Sequence, residues 1–223
     1  MSLYYFENGY YIPFIFIILY GFTSNLFLST IITLKLFPAN YYFHYCHMYD
    51  YLPGSFNMLK QFVRFTDTGH LVSFLYYFFP NLICLAFNIH FVITFAYWIG
   101  VMFFSLSDTD DRLTNLNINF LNFWVILIHS VPLILLTHEL DKVDNKENLF
   151  NINDLCYTYL WAYTWLIFIY LPWRLLTGDP VYNILSGDRS WIFRIFFFFF
   201  IKFFLLLANI IGWYFVKFKY NLN

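Results

Sequence analysis

Apolar runs of about twenty residues follow one another along this chain, each long enough for a helix to cross the hydrocarbon of a bilayer. That succession excludes most soluble folds. The chain has 223 residues, of which 61% are hydrophobic and only 11% charged, against roughly 25% charged in ordinary soluble domains. One soluble core of this size could not hide so much apolar surface. The expected fold class is therefore all-α: a polytopic integral membrane protein in which about six transmembrane helices form a single domain over residues 1–223.

Polar punctuation divides the runs. The first span covers residues 11–36 and ends at "KLFPAN"; nothing basic precedes it and no small-residue cleavage pattern follows, so it reads as a retained span. Residues 37–60 hold two prolines and many tyrosines, a composition suited to the headgroup level. The second span starts near Phe62 and stops at Pro80-Asn81, a turn signal that folds the third, residues 82–106, straight back on it. "SDTDDRLTNLNIN" and "DKVDNKENLFNIND" read as aqueous loops on either side of the fourth span. The fifth covers residues 155–176 and the sixth 191–218, with "TGDPVYNILSGDRS" between them.

Net charge is -1, with 12 Lys+Arg against 13 Asp+Glu. No basic field is present to hold a nucleic acid. Lysines and arginines divide between both faces, Lys142, Lys146, Lys217 and Lys219 on one and Lys35, Lys60, Arg64, Arg112 and Arg189 on the other, so charge does not select an orientation. The cysteines Cys46, Cys84 and Cys156 lack CxxC spacing and indicate neither a disulfide framework nor a zinc site. "HYCH", residues 44–47, has ligand-type side chains but no second ligand pair.

In lipid it is the polar residues that need a reason, because an ionisable group at mid-membrane is costly and faces the bundle interior. His129 stands in the aliphatic stretch "VILIHSVPLILLTHEL" of the fourth span, and Pro132, having no N–H, leaves the Ile128 carbonyl an acceptor beside the ring. It reads either as a neutral histidine bonded to a neighbouring helix or as a general base. Thr66, in "RFTDTGH", opens the second span from the same membrane face, so the two can share a depth if the fourth span begins near Asn122. Its alternative role is a helix N-cap. His90 raises bis-histidine haem ligation with His129, without the flanking glycines or further histidines that would support it. Arg194, Lys202 and Asn209 share a stripe of the sixth span, and read as interfacial anchors plus one buried amide rather than a transport path. Tyr159, Tyr163, Leu166 and Tyr170 share a face of the fifth.

The order of these elements resembles the androgen-induced protein family, which includes the androgen-dependent regulator of tissue factor pathway inhibitor. The resemblance lies in the threonine of "RFTDTGHLVSFLYYF", the histidine followed by an apolar run and an acid in "IHSVPLILLTHEL", and a "TG..VY..L" pattern at Thr177-Gly178, Val181-Tyr182 and Leu185. It implies a membrane threonine hydrolase that cleaves fatty acid esters of hydroxy fatty acids, with Thr66 as nucleophile, His129 as base and no metal or cofactor. Backbone amides of the second span's first turn, or Arg64, would then receive the oxyanion. The competing expectation is a non-catalytic membrane subunit of an organellar respiratory or energy-converting complex. Partners are membrane lipids in the first case and neighbouring subunits in the second; the membrane is the endomembrane or plasma membrane, or the mitochondrial inner membrane.

Overall fold

The computed structural model describes residues 63–104, 129–182, 185 and 190–222. The first span, the segment 37–60 with its "HYCH" motif, the loop after the third span and the start of the fourth lie outside the described residues. Within them the chain is all-helical. Helix α1 is Phe65–Tyr76 and α2 is Ile83–Phe104, joined by a 3-10 turn at Pro80–Leu82. Helix α3 is Val131–Glu139, and short 3-10 turns at Leu140–Lys142 and Lys146–Asn148 follow it. Helix α4, Ile152–Thr164, runs through a π-helical segment, Trp165–Tyr170, into α5, Leu171–Thr177, as one rod. Helix α6, Trp191–Tyr220, closes the described chain.

Local signals set the ends. Asn151 caps α4 by accepting from Asn153 N and Asp154 N at 2.7 and 3.2 Å, while Asp154 Oδ2 accepts the Asn151 amide at 3.0 Å. This reciprocal box satisfies donors that a helix start otherwise leaves open. Ser190 caps α6 by accepting from Phe193 N. Gly178, at φ +74°, stops α5, as a left-handed residue at the end of a helix requires.

Helix α2 is the central post. Every residue from 83 to 93 is buried, as expected of a helix apolar on all sides, and α1, α3, α4 and α6 all pack on it. The expected tight hairpin at Pro80 is present. Among the described residues two helical stretches are long and apolar enough to cross a membrane, Pro80–Gly100 and Trp191–Tyr220. They differ in surroundings: α6 leaves Phe196, Phe199, Phe203 and Phe218 exposed, whereas α2 is wrapped by its neighbours.

The helix boundaries differ from expectation in two places. The helix of the second span begins at Phe65, not near Phe62 as expected, with Arg64 extended at its cap (φ -64°, ψ 132°). The fourth run is not continuous through His129 either. Ser130 leaves helical geometry (φ -122°, ψ -45°) and α3 restarts at Val131, which places Pro132 in the first turn, where its missing N–H costs nothing.

A polar tie crosses the apolar core. The Asn88 amide donates to Thr158 Oγ1 and Asn209 Oδ1, each at 3.0 Å, and Asn209 Nδ2 donates to the Phe150 carbonyl at 2.9 Å. Helices α2, α4 and α6 are thereby fixed in rotation about their axes. Asn88→Ala is expected to destabilise the protein by about 1 to 3 kcal/mol, since it leaves buried acceptors without their donor. Thermal unfolding in detergent checks it; an unchanged midpoint would deny the tie a structural role.

At one end of α6, Lys219 lies 2.6 Å from the Asp141 carboxylate, and the Tyr220 hydroxyl donates to the same group. Lys219 first, then Tyr220, hold the Asp141 carboxyl below its ordinary value. A lowered folded-state value contributes stability above the unfolded carboxylate range and loses it as pH falls through the folded value. The group is exposed, so the contribution is small. Melting curves of the parent and Asp141→Asn should differ near neutral pH and converge in acid.

Candidate functional site

The hairpin sets where Thr66 stands. Gly69 lies so close to α2 that a Cβ there would meet Ile93 Cδ1 at 2.5 Å and Ile89 Cγ2 at 2.9 Å. Thr66, Gly69, His70 and Ser73 fall on one stripe at helical spacing, so Thr66 belongs to the α2-facing side, half-buried at the helix start. Thr66 is not the N-cap; Arg64 holds that position.

His129 is 3% exposed. Its ring stacks on Tyr97 at 3.7 Å and 13°, its carbonyl accepts from the Thr94 hydroxyl, and the Trp98 indole donates to the next residue, Ser130, at 2.8 Å. The carbonyl beside the imidazole that takes a partner is thus the residue's own. Ile128 lies outside the described residues.

Helix α3 starts beside Thr94 and Trp98 and ends where Glu139 Oε2 accepts from the Tyr76 hydroxyl at 3.2 Å. It therefore runs antiparallel to α2 and parallel to α1. Ten residues separate Thr66 from Tyr76 and ten separate His129 from Glu139. Thr66 stands one turn before Gly69, which abuts Ile89 and Ile93, and His129 meets Thr94 and Tyr97, so the threonine and the histidine fall at a similar level beside the second half of α2. Among the described residues no hydrogen bond joins them.

Other expected residues separate. His90, fully buried, packs its ring on His70 at 5.1 Å between centroids, about two helical turns from Tyr97 and His129. His90 and His129 thus stand at different levels along α2 rather than at the one depth expected of a haem-ligating pair. Of the stripe on α6, Asn209 is buried in the polar tie while Arg194 and Lys202 are exposed, in line with anchors and one buried amide. Among the described residues no cluster of three metal-ligating side chains occurs.

The tyrosine face of the fifth run is divided by the π segment. A π turn takes in an extra residue and rotates everything after it. Tyr159 and Tyr163 accordingly stay near α6, Tyr159 donating to the Lys202 carbonyl at 3.2 Å and Tyr163 packing near Phe198. Tyr170 instead stacks on Trp165 in a second apolar cluster with Val63, Trp173 and Val181.

That second cluster meets the start of α1. The Trp165 indole donates to the Val63 carbonyl at 2.7 Å, and the Tyr182 hydroxyl accepts the Phe65 amide at 2.8 Å. Asp67 N and Thr68 N both bond the Arg64 carbonyl at 3.1 Å. The amides of Phe65, Asp67 and Thr68, three of the expected oxyanion donors, are thus already engaged. Thr94, Tyr97 and Trp165 carry no motif in the sequence, whereas Tyr182 stands in the "TG..VY..L" pattern without a role of its own. A signal existed for two of them: His90, Thr94 and Tyr97 recur at helical spacing on a helix otherwise rich in aliphatic side chains.

Among the described residues these features define an all-helical fold with two helices long and apolar enough to cross a membrane. Compared with protein-family models, curated proteins and solved structures, the chain matches none of them.

Proposed function

We propose that the chain is an intramembrane hydrolase of lipid esters, within a bundle of about six spans, acting on fatty acid esters of hydroxy fatty acids. The observation that carries this reading is the common level of Thr66 and His129 against α2. His129 takes the Thr66 hydroxyl proton, the oxygen attacks the ester carbonyl, and the carbonyl–oxygen bond to the alcohol breaks. The alcohol leaves with the proton returned by His129. Water, deprotonated by the same imidazole, then attacks the threonyl ester, the bond from the acyl carbon to the Thr66 oxygen breaks, and the proton passes from His129 to that oxygen as the fatty acid leaves. Stacking on Tyr97 and the Thr94 bond to its carbonyl hold His129 in place, and a lipid substrate accounts for a site beside a helix as apolar as α2.

A fluorophosphonate probe tests this directly, since Thr66 would displace fluoride from phosphorus and become covalently marked. Labelling that survives in Thr66→Ala rejects the assignment.

The exposed aromatic surface of α6 favours a second reading, a non-catalytic subunit of an organellar membrane complex whose outer helices pack on partners. Purification in mild detergent separates the two. A large assembly of fixed stoichiometry, with no probe labelling, supports the subunit.

A further inference from the structure

We propose that Tyr182 is a positioning residue that fixes the helix turn bearing Thr66; the inference rests on the hydrolase reading above. Its hydroxyl oxygen accepts the amide of Phe65, the residue immediately before Thr66, at 2.8 Å across 117 residues of sequence. A helix start leaves its first amides without intrahelical partners and is prone to fray. Here a side chain from a distant segment closes one of them.

The segment that delivers Tyr182 is built to hold its direction. Val181 adopts φ +63°, a left-handed conformation in which a β-branched residue is an outlier, of the kind that persists only where the surroundings impose it. The surroundings are on hand. Gly178 turns the chain at φ +74°, the Arg174 guanidinium donates to its carbonyl at 2.7 Å, and the Trp173 indole donates to Asp179 Oδ2 at 2.9 Å. Val181 is buried in the same apolar cluster as Val63.

Trp165 grips the turn from its other side. Its indole N–H bonds the Val63 carbonyl, and its ring meets the Phe65 ring edge-on at 5.1 Å. The backbone on both sides of Arg64 is thus held by one aromatic group from the π segment and one from the turn after α5. The direction of the Thr66 Cα–Cβ bond follows from that grip, and a nucleophile displaced by about 1 Å can lose on the order of 100-fold in rate.

The test uses the full-length protein in detergent micelles and measures fluorophosphonate labelling rate against probe concentration, with Tyr182→Phe, Trp165→Phe and Thr66→Ala beside the parent. Tyr182→Phe keeps the ring and removes only the acceptor oxygen. Its maximal labelling rate is expected to fall about 10- to 100-fold, well beyond any loss of folded protein, with the half-saturating probe concentration and the pH midpoint of labelling unchanged. Trp165→Phe is expected to show the same split. A maximal rate equal to the parent's in both variants, or a fall matched by loss of folded protein, overturns the proposal. Full labelling of Thr66→Ala overturns the hydrolase reading itself. Abolished labelling in Thr66→Ala beside normal rates in Tyr182→Phe overturns the positioning role alone.

Discussion

Gly212→Leu is expected to lower the melting temperature of the detergent-solubilised protein sharply, because Gly212 is the slot into which Phe150 fits. Even a Cβ at this position would lie 2.4 to 2.7 Å from three carbons of the Phe150 ring. The ring has nowhere to go. It is 3% exposed and meets Phe87 edge-on at 5.1 Å. Its backbone is pinned as well, the amide donating to Cys84 Sγ at 3.3 Å and the carbonyl accepting from Asn209. Phe150 also sits at φ +58°, so a backbone shift would disturb a conformation that few residues adopt. Overpacking of a filled core costs about 1 to 3 kcal/mol and sometimes more, and Leu adds several atoms beyond the first clash. Gly212→Ala should be milder, and Phe150→Leu should recover part of the loss in Gly212→Ala. Failure of that pair to recover anything would show that the clash is not with Phe150.

Thr66→Ala and His129→Ala are each expected to abolish fluorophosphonate labelling while leaving the protein folded. Thr66 is half-buried at the first turn of α1, and its removal leaves the α2-facing contacts of Gly69 and His70 in place. Removing the base costs a factor of about 100 to 10,000 in a reaction that depends on proton transfer, so residual labelling of His129→Ala should fall below detection. His129→Phe is the better-controlled variant, because it retains a ring to stack on Tyr97. Full labelling in His129→Phe would remove the imidazole from the mechanism, whatever the fate of Thr66.

Parts of this architecture were legible in the residue order. The turn at Pro80-Asn81, the helical rod over residues 152–177 and the long final helix follow from apolar run length and from Pro, Gly and Asn at their ends. Asn209 as a buried amide was legible too, since an amide in an apolar run must find partners within the protein. Other parts were not. The π segment moved Tyr170 off the face that a constant 100° step assigns to it, and no residue type in "WLIFIY" announces such a turn. The restart of α3 at Val131 shows the same limit: Pro132 was legible as a disturbance, while its place in a first turn depended on Ser130 leaving helical geometry.

The candidate site divides in the same way. Thr66 and His129 stood out as polar groups beside or within apolar runs, a property of the sequence alone. Their common level, the Tyr97 stack and the Tyr182 bond join residues that lie far apart in the chain, and no local pattern encodes such pairings. By itself the sequence determined that the described segments are helical, which stretches are apolar enough for a bilayer, and where turns interrupt them, because backbone hydrogen bonding and burial act over a few residues at a time. Only the tertiary structure decided which polar groups meet, because helix rotation and depth are set by close packing between distant segments: Gly69 against Ile93, Gly212 against Phe150, and Asn88 between Thr158 and Asn209.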